Sequence, residues 1–245
     1  GYLLGEVWED GTTKIAYSKR RKYLLGRETH GLMNYPFRTA LLDYLRGGDA
    51  AVFRERMEEL REHYPAPAYY GAMNFLSTHD TPRLLTLLGH EGDAPATRDE
   101  RAAYLLSEEE KSRGTALLKL AALILYTFPG SPMLYYGDEA GMQGFEDPFN
   151  RGPYPWGHED AALLRYFRQL GALRKAHEAL QRGTIDYCAA QGRVLAFRRA
   201  SNSEKCITAV NAGEQSAALT LPWDAPLAQD ALTRQFFFCG DGLLR

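Results

Sequence analysis

What most constrains this chain is the alternation of short apolar runs with helical patterns over its first 180 residues. Apolar runs at residues 2–7, 31–35, 73–77 and 133–136 read as buried strands. Helical patterns lie among them: 15–25, rich in Lys and Arg on one side; 37–45; and 51–63, with Val52, Phe53, Met57 and Leu60 at three-four spacing. Thr81-Pro82 reads as a further helix start, because proline suits the first helical position. A polar loop over 89–111 leads to an apolar helix at 115–128, which Pro129-Gly130 ends. A last helix over 160–180 carries Leu163, Leu164, Phe167, Leu170 and Leu173 on one face. Successive parallel strands need a crossover, usually a helix, so this order predicts an α/β fold with parallel pairing. From residue 183 the texture changes. Strand-like pieces at 184–188, 194–198, 206–211, 217–221 and 235–239 alternate with Gly, Asn, Ser and Pro turns. They predict a small antiparallel domain of Greek-key kind. The expected division is therefore residues 1–182 and 183–245.

Composition removes several function classes. Lys plus Arg number 29 against 31 for Asp plus Glu, so the basic surplus of a nucleic-acid binder is absent. With 45% hydrophobic and 12% aromatic residues the chain is too apolar for disorder. No apolar run reaches the roughly 18 residues of a membrane span, so no membrane partner is expected. Residues 1–8 lack the basic start of a signal peptide. Cys188, Cys206 and Cys239 are odd in number, far apart and without metal-ligand spacing. A reducing, cytoplasmic location is the expectation. No phosphate-binding loop is present, since Gly47-Gly48 lacks a following Lys-Ser or Lys-Thr. A small-molecule enzyme or a carbohydrate-binding protein remains.

Polar residues stand where the strands end: Glu6 after the first, His79-Asp80 after the third, Tyr135 to Glu139 after the fourth. In parallel β/α folds the carboxyl ends of the strands carry the site, so these groups converge on one face. Two carboxylates on different strands, with aromatic faces such as Trp8 to stack on sugar rings, are the equipment of glycoside hydrolysis. Each piece also has a plain structural reading: Glu6 as a loop ion pair, His79-Asp80 as a helix cap, Trp8 as a core aromatic.

Taken in order, the segments are more specific. Leu4-Gly5-Glu6-Val7-Trp8-Glu9-Asp10, Met33-Asn34-Tyr35-Pro36-Phe37, Phe75 to Arg83 and Phe128 to Gly141 resemble successive segments of the α-amylase family, glycoside hydrolase family 13. Asp147-Pro148-Phe149-Asn150-Arg151, ending in Tyr154-Pro155-Trp156, resembles the neopullulanase and cyclomaltodextrinase branch. The resemblance implies strands five to eight of a (β/α)8 TIM barrel followed by an antiparallel β-sandwich domain. It implies that Glu6 is the general acid/base and Asp80 the transition-state stabiliser. It further implies that His79 binds the sugar being cleaved, that Trp8 lines the leaving-group side, and that Asp147 and Arg151 contact the glycone end. Tyr135, Tyr136, Asp138 and Glu139 would brace the pocket floor, with Arg83 as a structural ion-pair partner. The expected substrate is an α-glucan oligosaccharide with α-1,4 linkages, extending to α-1,6.

The family's nucleophile is an Asp within a Gly-x-Arg-x-Asp pattern, and this sequence has none. The abrupt apolar start at Tyr2 is what a cut just before strand five gives. The expectation is that the chain alone is inactive, because the covalent intermediate has nothing to form on. No cofactor or metal is expected on this chain; a calcium site, where the family has one, would lie mostly in the absent portion. Open strand edges predict self-association or pairing with the missing half. A transglycosylase and a non-catalytic glycan-binding fragment are the rival readings.

Overall fold

In chain order, the computed structural model, which describes residues 1–239 and 243–244, begins with β1 (Leu4–Gly5). A small hairpin follows, β2 (Ile15–Ala16) and β3 (Lys19–Arg20), and then β4 (Gly31–Leu32). Next come α1 (Tyr35–Leu45), α2 (Ala50–His63), α3 (Ala66–Tyr70), β5 (Met73–Asn74), α4 (Leu84–Gly89), α5 (Arg98–Ala103) and α6 (Glu108–Thr127). After β6 (Ser131–Pro132) the chain forms α7 (Ala161–Ala176) and α8 (Glu178–Arg182).

The four strands β1, β4, β5 and β6 lie side by side in chain order, all parallel. Leu4 pairs with Gly31, Met33 bridges to Met73, and Met73 pairs with Ser131. This is the arrangement of a partial β/α barrel. Two buried asparagines stitch the strand ends together. Asn34 donates to Asn74 at 2.8 Å, and Asn74 donates to the Pro129 carbonyl at 2.6 Å. Asn34 also caps α1 by accepting from the Phe37 amide. Gly130, at φ +106°, turns the chain from α6 into β6; a Cβ there would lie 2.8 Å from both the Ala72 carbonyl and the Asn74 side chain.

Several expectations are corrected. Residues 15–25 form the β2–β3 hairpin and a π-turn at Tyr23–Arg27, not a helix. Tyr17 and Ser18 adopt positive φ there, and the pair Lys19–Arg20 is exposed, so its charges mark a solvated hairpin. The fourth strand is at Ser131–Pro132, before the anticipated 133–136. The polar loop contains α5, whose Thr97–Glu100 capping box satisfies its first turn. A second capping box, Ser107 with Glu110, starts α6 ahead of the anticipated residue 115. The 160–180 helix is broken at His177 into α7 and α8.

Beyond Gly183 the chain runs through β7 (Thr184–Gln191), β8 (Val194–Ala200) and β9 (Lys205–Asn211), an antiparallel meander with a bulge between Tyr187 and Ala189. Short strands follow: β10 (Leu221–Pro222), β11 (Leu227–Gln229), β12 (Phe236–Phe238) and β13 (Leu243–Leu244). They pair as β10–β13 and β11–β12, apart from the meander. Among the described residues every ladder of this region is antiparallel, as expected of a small antiparallel domain.

Alternate residues of β8, Leu195, Phe197 and Arg199, are fully buried against the helical layer. An aromatic chain of Phe37, Phe53, Phe128 and Phe197 runs across that junction, each ring within 6.3 Å of the next. Two arginines fasten it. Arg199 donates to the carbonyls of Thr127 at 2.6 Å, Gly183 at 2.9 Å and Thr184 at 3.1 Å. Arg193 donates to those of Tyr44, Leu45, Gly48 and Ala212.

Candidate active site

Glu6 leaves β1 at its carboxyl end, where its Oε1 accepts from the Tyr35 hydroxyl at 3.0 Å and the Trp8 indole N–H at 3.2 Å. Trp8 and Tyr35 stack with centroids 4.3 Å apart and planes 16° from parallel. Tyr35 opens α1, and its ring meets Phe75, just beyond β5, edge-on at 4.7 Å. Burial, then the negative charges of Glu6 and Asp80, push its hydroxyl up to about 12. The phenol therefore stays protonated and donates to Glu6.

Asp80 sits in a tight turn after β5. The Thr78 hydroxyl accepts from the Asp80 amide at 3.1 Å, and the Thr81 hydroxyl accepts from the Thr78 amide at 2.9 Å. Buried Asn150 holds the turn from behind, donating to the carbonyls of His79 at 2.7 Å and Thr81 at 2.8 Å. His79 Nε2 lies 3.3 Å from one Asp80 oxygen and Arg151 Nη2 lies 3.5 Å from the other. Arg151 Nε lies 3.0 Å from Asp147 and donates to the His79 carbonyl.

The turn corrects the helix-start reading of Thr81-Pro82. Thr81 is occupied in closing the turn, and the Arg83 amide donates to the Gly144 carbonyl at 2.9 Å. Arg83 is the extended residue preceding α4, which has no side-chain cap, so neither His79 nor Asp80 caps that helix.

Below the turn, Arg83 is fully buried, its guanidinium packed against the rings of both Tyr135 and Tyr136, 4.4 and 4.5 Å from their centroids. It donates to the Tyr136 carbonyl and lies 3.7 Å from one oxygen of Asp138, whose other oxygen accepts from the Ser77 hydroxyl. Burial pushes the Asp138 carboxyl up to about 6 even so.

The structure thus brings the six candidates into two groups. One is Glu6 with Trp8; the other is His79, Asp80, Asp147 and Arg151. Tyr35 stands within the influence of both carboxylates. Sequence reasoning assigned no role to Tyr35 or Asn150. Both lie inside quoted segments, but what they do depends on partners 29 and 71 residues away.

Residues 1–156 match the family model described as the α-amylase catalytic domain. The chain belongs to the α-amylase family. It is 34% identical over 209 residues to an amylopullulanase of Thermoanaerobacter thermohydrosulfuricus, covering 80% of this chain and 13% of that protein. It is 33% identical over 230 residues to a cyclomaltodextrinase of Geobacillus thermopakistaniensis, covering 91% of this chain and 34% of that one. A solved debranching enzyme of Nostoc punctiforme superposes with a TM-score of 0.73 at 28% identity, covering 90% of this chain and 43% of that chain. The chain therefore spans 13% and 34% of the length of these two curated relatives.

Proposed function

We propose that this chain is the part of a retaining α-glucan glycoside hydrolase that carries the acid/base and the transition-state stabiliser, on barrel strands five to eight. Residues 183–245 form its C-terminal β domain. The observation that carries the reading is that Glu6 and the His79, Asp80 and Arg151 cluster both stand beyond the carboxyl ends of strands in one parallel array, β1 and β5. Glu6 protonates the leaving glycosidic oxygen and later takes a proton from water. Asp80 is held against the sugar hydroxyls, and its grip tightens as the oxocarbenium charge develops. His79, Asp147 and Arg151 fix the sugar on the Asp80 side, and Trp8 offers a stacking face beyond Glu6.

The nucleophile is not on this chain, and the chain alone does not turn over. Release of reducing sugar from cyclodextrin or maltotriose by the pure chain would overturn that statement. Calorimetric titration with acarbose or maltoheptaose tests the site itself. Heat that diminishes in Trp8→Ala supports it, and no heat removes the glycan-binding reading. In a complete enzyme containing this segment, Glu6→Gln lowers kcat by roughly 10²–10⁴-fold. Product analysis at high sugar concentration separates hydrolysis from transfer, because a transferase builds longer oligomers. Among the described residues β1 pairs on one side only, with β4, and Leu3 and Leu4 beside that open edge are exposed. That apolar edge supports the further proposal that it takes a partner, either the remaining strands or a second copy.

A further inference from the structure

Away from the carboxylate site, His177 meets a pair of side chains two residues apart, Glu204 and Cys206, at the junction of the helices with the meander. His177 is the residue between α7 and α8, Glu204 lies in the turn before β9, and Cys206 is the second residue of β9. One ligand atom from each lies within 4.8 Å of the other two. All three line a cavity of about 510 Å³, whose other walls include Leu123, Leu173, Leu221, Trp223 and Phe237.

We propose that His177, Glu204 and Cys206 form a transition-metal site suited to Zn2+. The donor set argues for the metal class. A thiolate with an imidazole and a carboxylate is the mixed S, N, O set that zinc accepts and that calcium and magnesium refuse. Three protein ligands leave a fourth tetrahedral position open, here beside the cavity. The geometry is close to closing. Tetrahedral zinc with bonds of about 2.0 Å to N or O and 2.3 Å to S sets its ligand atoms roughly 3.3–3.5 Å apart. His177 Nδ1 and Glu204 Oε2 stand at 2.8 Å, so they open by about half an ångström, while no pair has to draw in by more than roughly 1.3 Å. Glu204 is already oriented for one-oxygen binding. Its Oε1 accepts from the Ala179 amide at 2.9 Å, which leaves Oε2 turned to His177. Such an outer hydrogen bond is what fixes a ligating carboxylate.

The competing account is that His177 and Glu204 only fasten the start of α8. It explains those two residues and leaves the thiol as a bystander, so the sulfur decides between them. The test is a titration of the chelator-treated 245-residue chain with Co2+, read by absorption. The expected result is one equivalent bound, with tetrahedral d–d bands and a thiolate-to-cobalt charge-transfer band, both displaced by Zn2+. Cys206→Ser abolishes the charge-transfer band, and Cys188→Ser and Cys239→Ser keep it. His177→Gln weakens binding tenfold or more. A second measurement needs no variant: Zn2+ slows alkylation of Cys206 in the unaltered chain, read by peptide mass spectrometry. No charge-transfer band, a band that survives Cys206→Ser, or alkylation of Cys206 indifferent to Zn2+ would each overturn the site. None of these outcomes depends on the glycosidase reading.

Discussion

Replacing Arg199 by methionine tests the central packing argument most directly. The side chain is fully buried, and burial is the chief influence lowering its guanidinium to about 10 from the usual 12.5. Confining the charge there costs about 3 kcal/mol, taking 1.36 kcal/mol per unit. Against this stand three hydrogen bonds to the Thr127, Gly183 and Thr184 carbonyls. Removing the donor leaves three acceptors, each costing roughly 1–3 kcal/mol where water cannot reach. Taking about 2 kcal/mol for each and crediting the recovered charge leaves a net loss on the order of 3 kcal/mol, because methionine keeps the aliphatic packing. The assay is urea unfolding followed by circular dichroism at constant m, with Arg198→Met as the control. Arg198 pairs with half-exposed Asp186 at 3.0 Å, and its loss costs no more than about 1 kcal/mol. An Arg199→Met protein within about 1 kcal/mol of the parent, or more stable than it, would refute the view that carbonyl contacts outweigh charge burial.

Other outcomes follow from the same geometry. Asp138 has its folded carboxyl raised to about 6 from 3.8. Its contribution is fully present below the unfolded value and is lost as pH rises through 6. The stability of the parent relative to Asp138→Asn therefore falls by about 2–3 kcal/mol between pH 3.8 and pH 7; a pH-independent difference would contradict it. Glu110 behaves oppositely. Hydrogen bonds from Tyr104, the Ser107 amide and His90 lower its carboxyl to about 2, so its contribution is present above 4.5 and lost as pH falls towards 2. Acid unfolding of Glu110→Gln should lack that part of the slope. Ser107→Ala, which removes the cap of α6, costs about 1 kcal/mol in the same unfolding assay. Trp8→Ala weakens maltoheptaose about tenfold in the calorimeter, the loss of one stacking face; unchanged affinity would place the sugar elsewhere.

The order of strands and helices was legible because hydrophobic periodicity is a local property, and Leu163, Phe167 and Leu170 are buried as their spacing requires. Boundaries were less legible where a side chain serves a distant partner. Thr81 looked like the lead-in to a helix, yet its hydroxyl closes the turn that presents Asp80. The basic run at 15–25 read as a helix face because charge spacing carries no information on the positive φ of Tyr17 and Ser18. The candidate carboxylates stood out because ionisable groups at strand ends are anomalous in an apolar run. Tyr35 did not stand out, since a tyrosine opening a helix is ordinary until Glu6 is placed beside it. The His177, Glu204 and Cys206 cluster was invisible for a related reason: 27 residues separate its first two members.

The arginine fastenings at the junction also bear on how this chain can change. Both Arg193 and Arg199 bind main-chain oxygens, which every amino acid supplies. Side chains at 45, 127, 184 and 212 can be exchanged without removing an acceptor, whereas Tyr44 also donates its hydroxyl to the Arg193 carbonyl. Positions 48 and 183 are different, because a Cβ there would strike neighbouring carbonyls. The sequence on the far side of the seam is therefore free to drift while two arginines and two glycines hold the register. A relative could keep this junction with little identity across it, and a single arginine replaced would have no complementary substitution to rescue it.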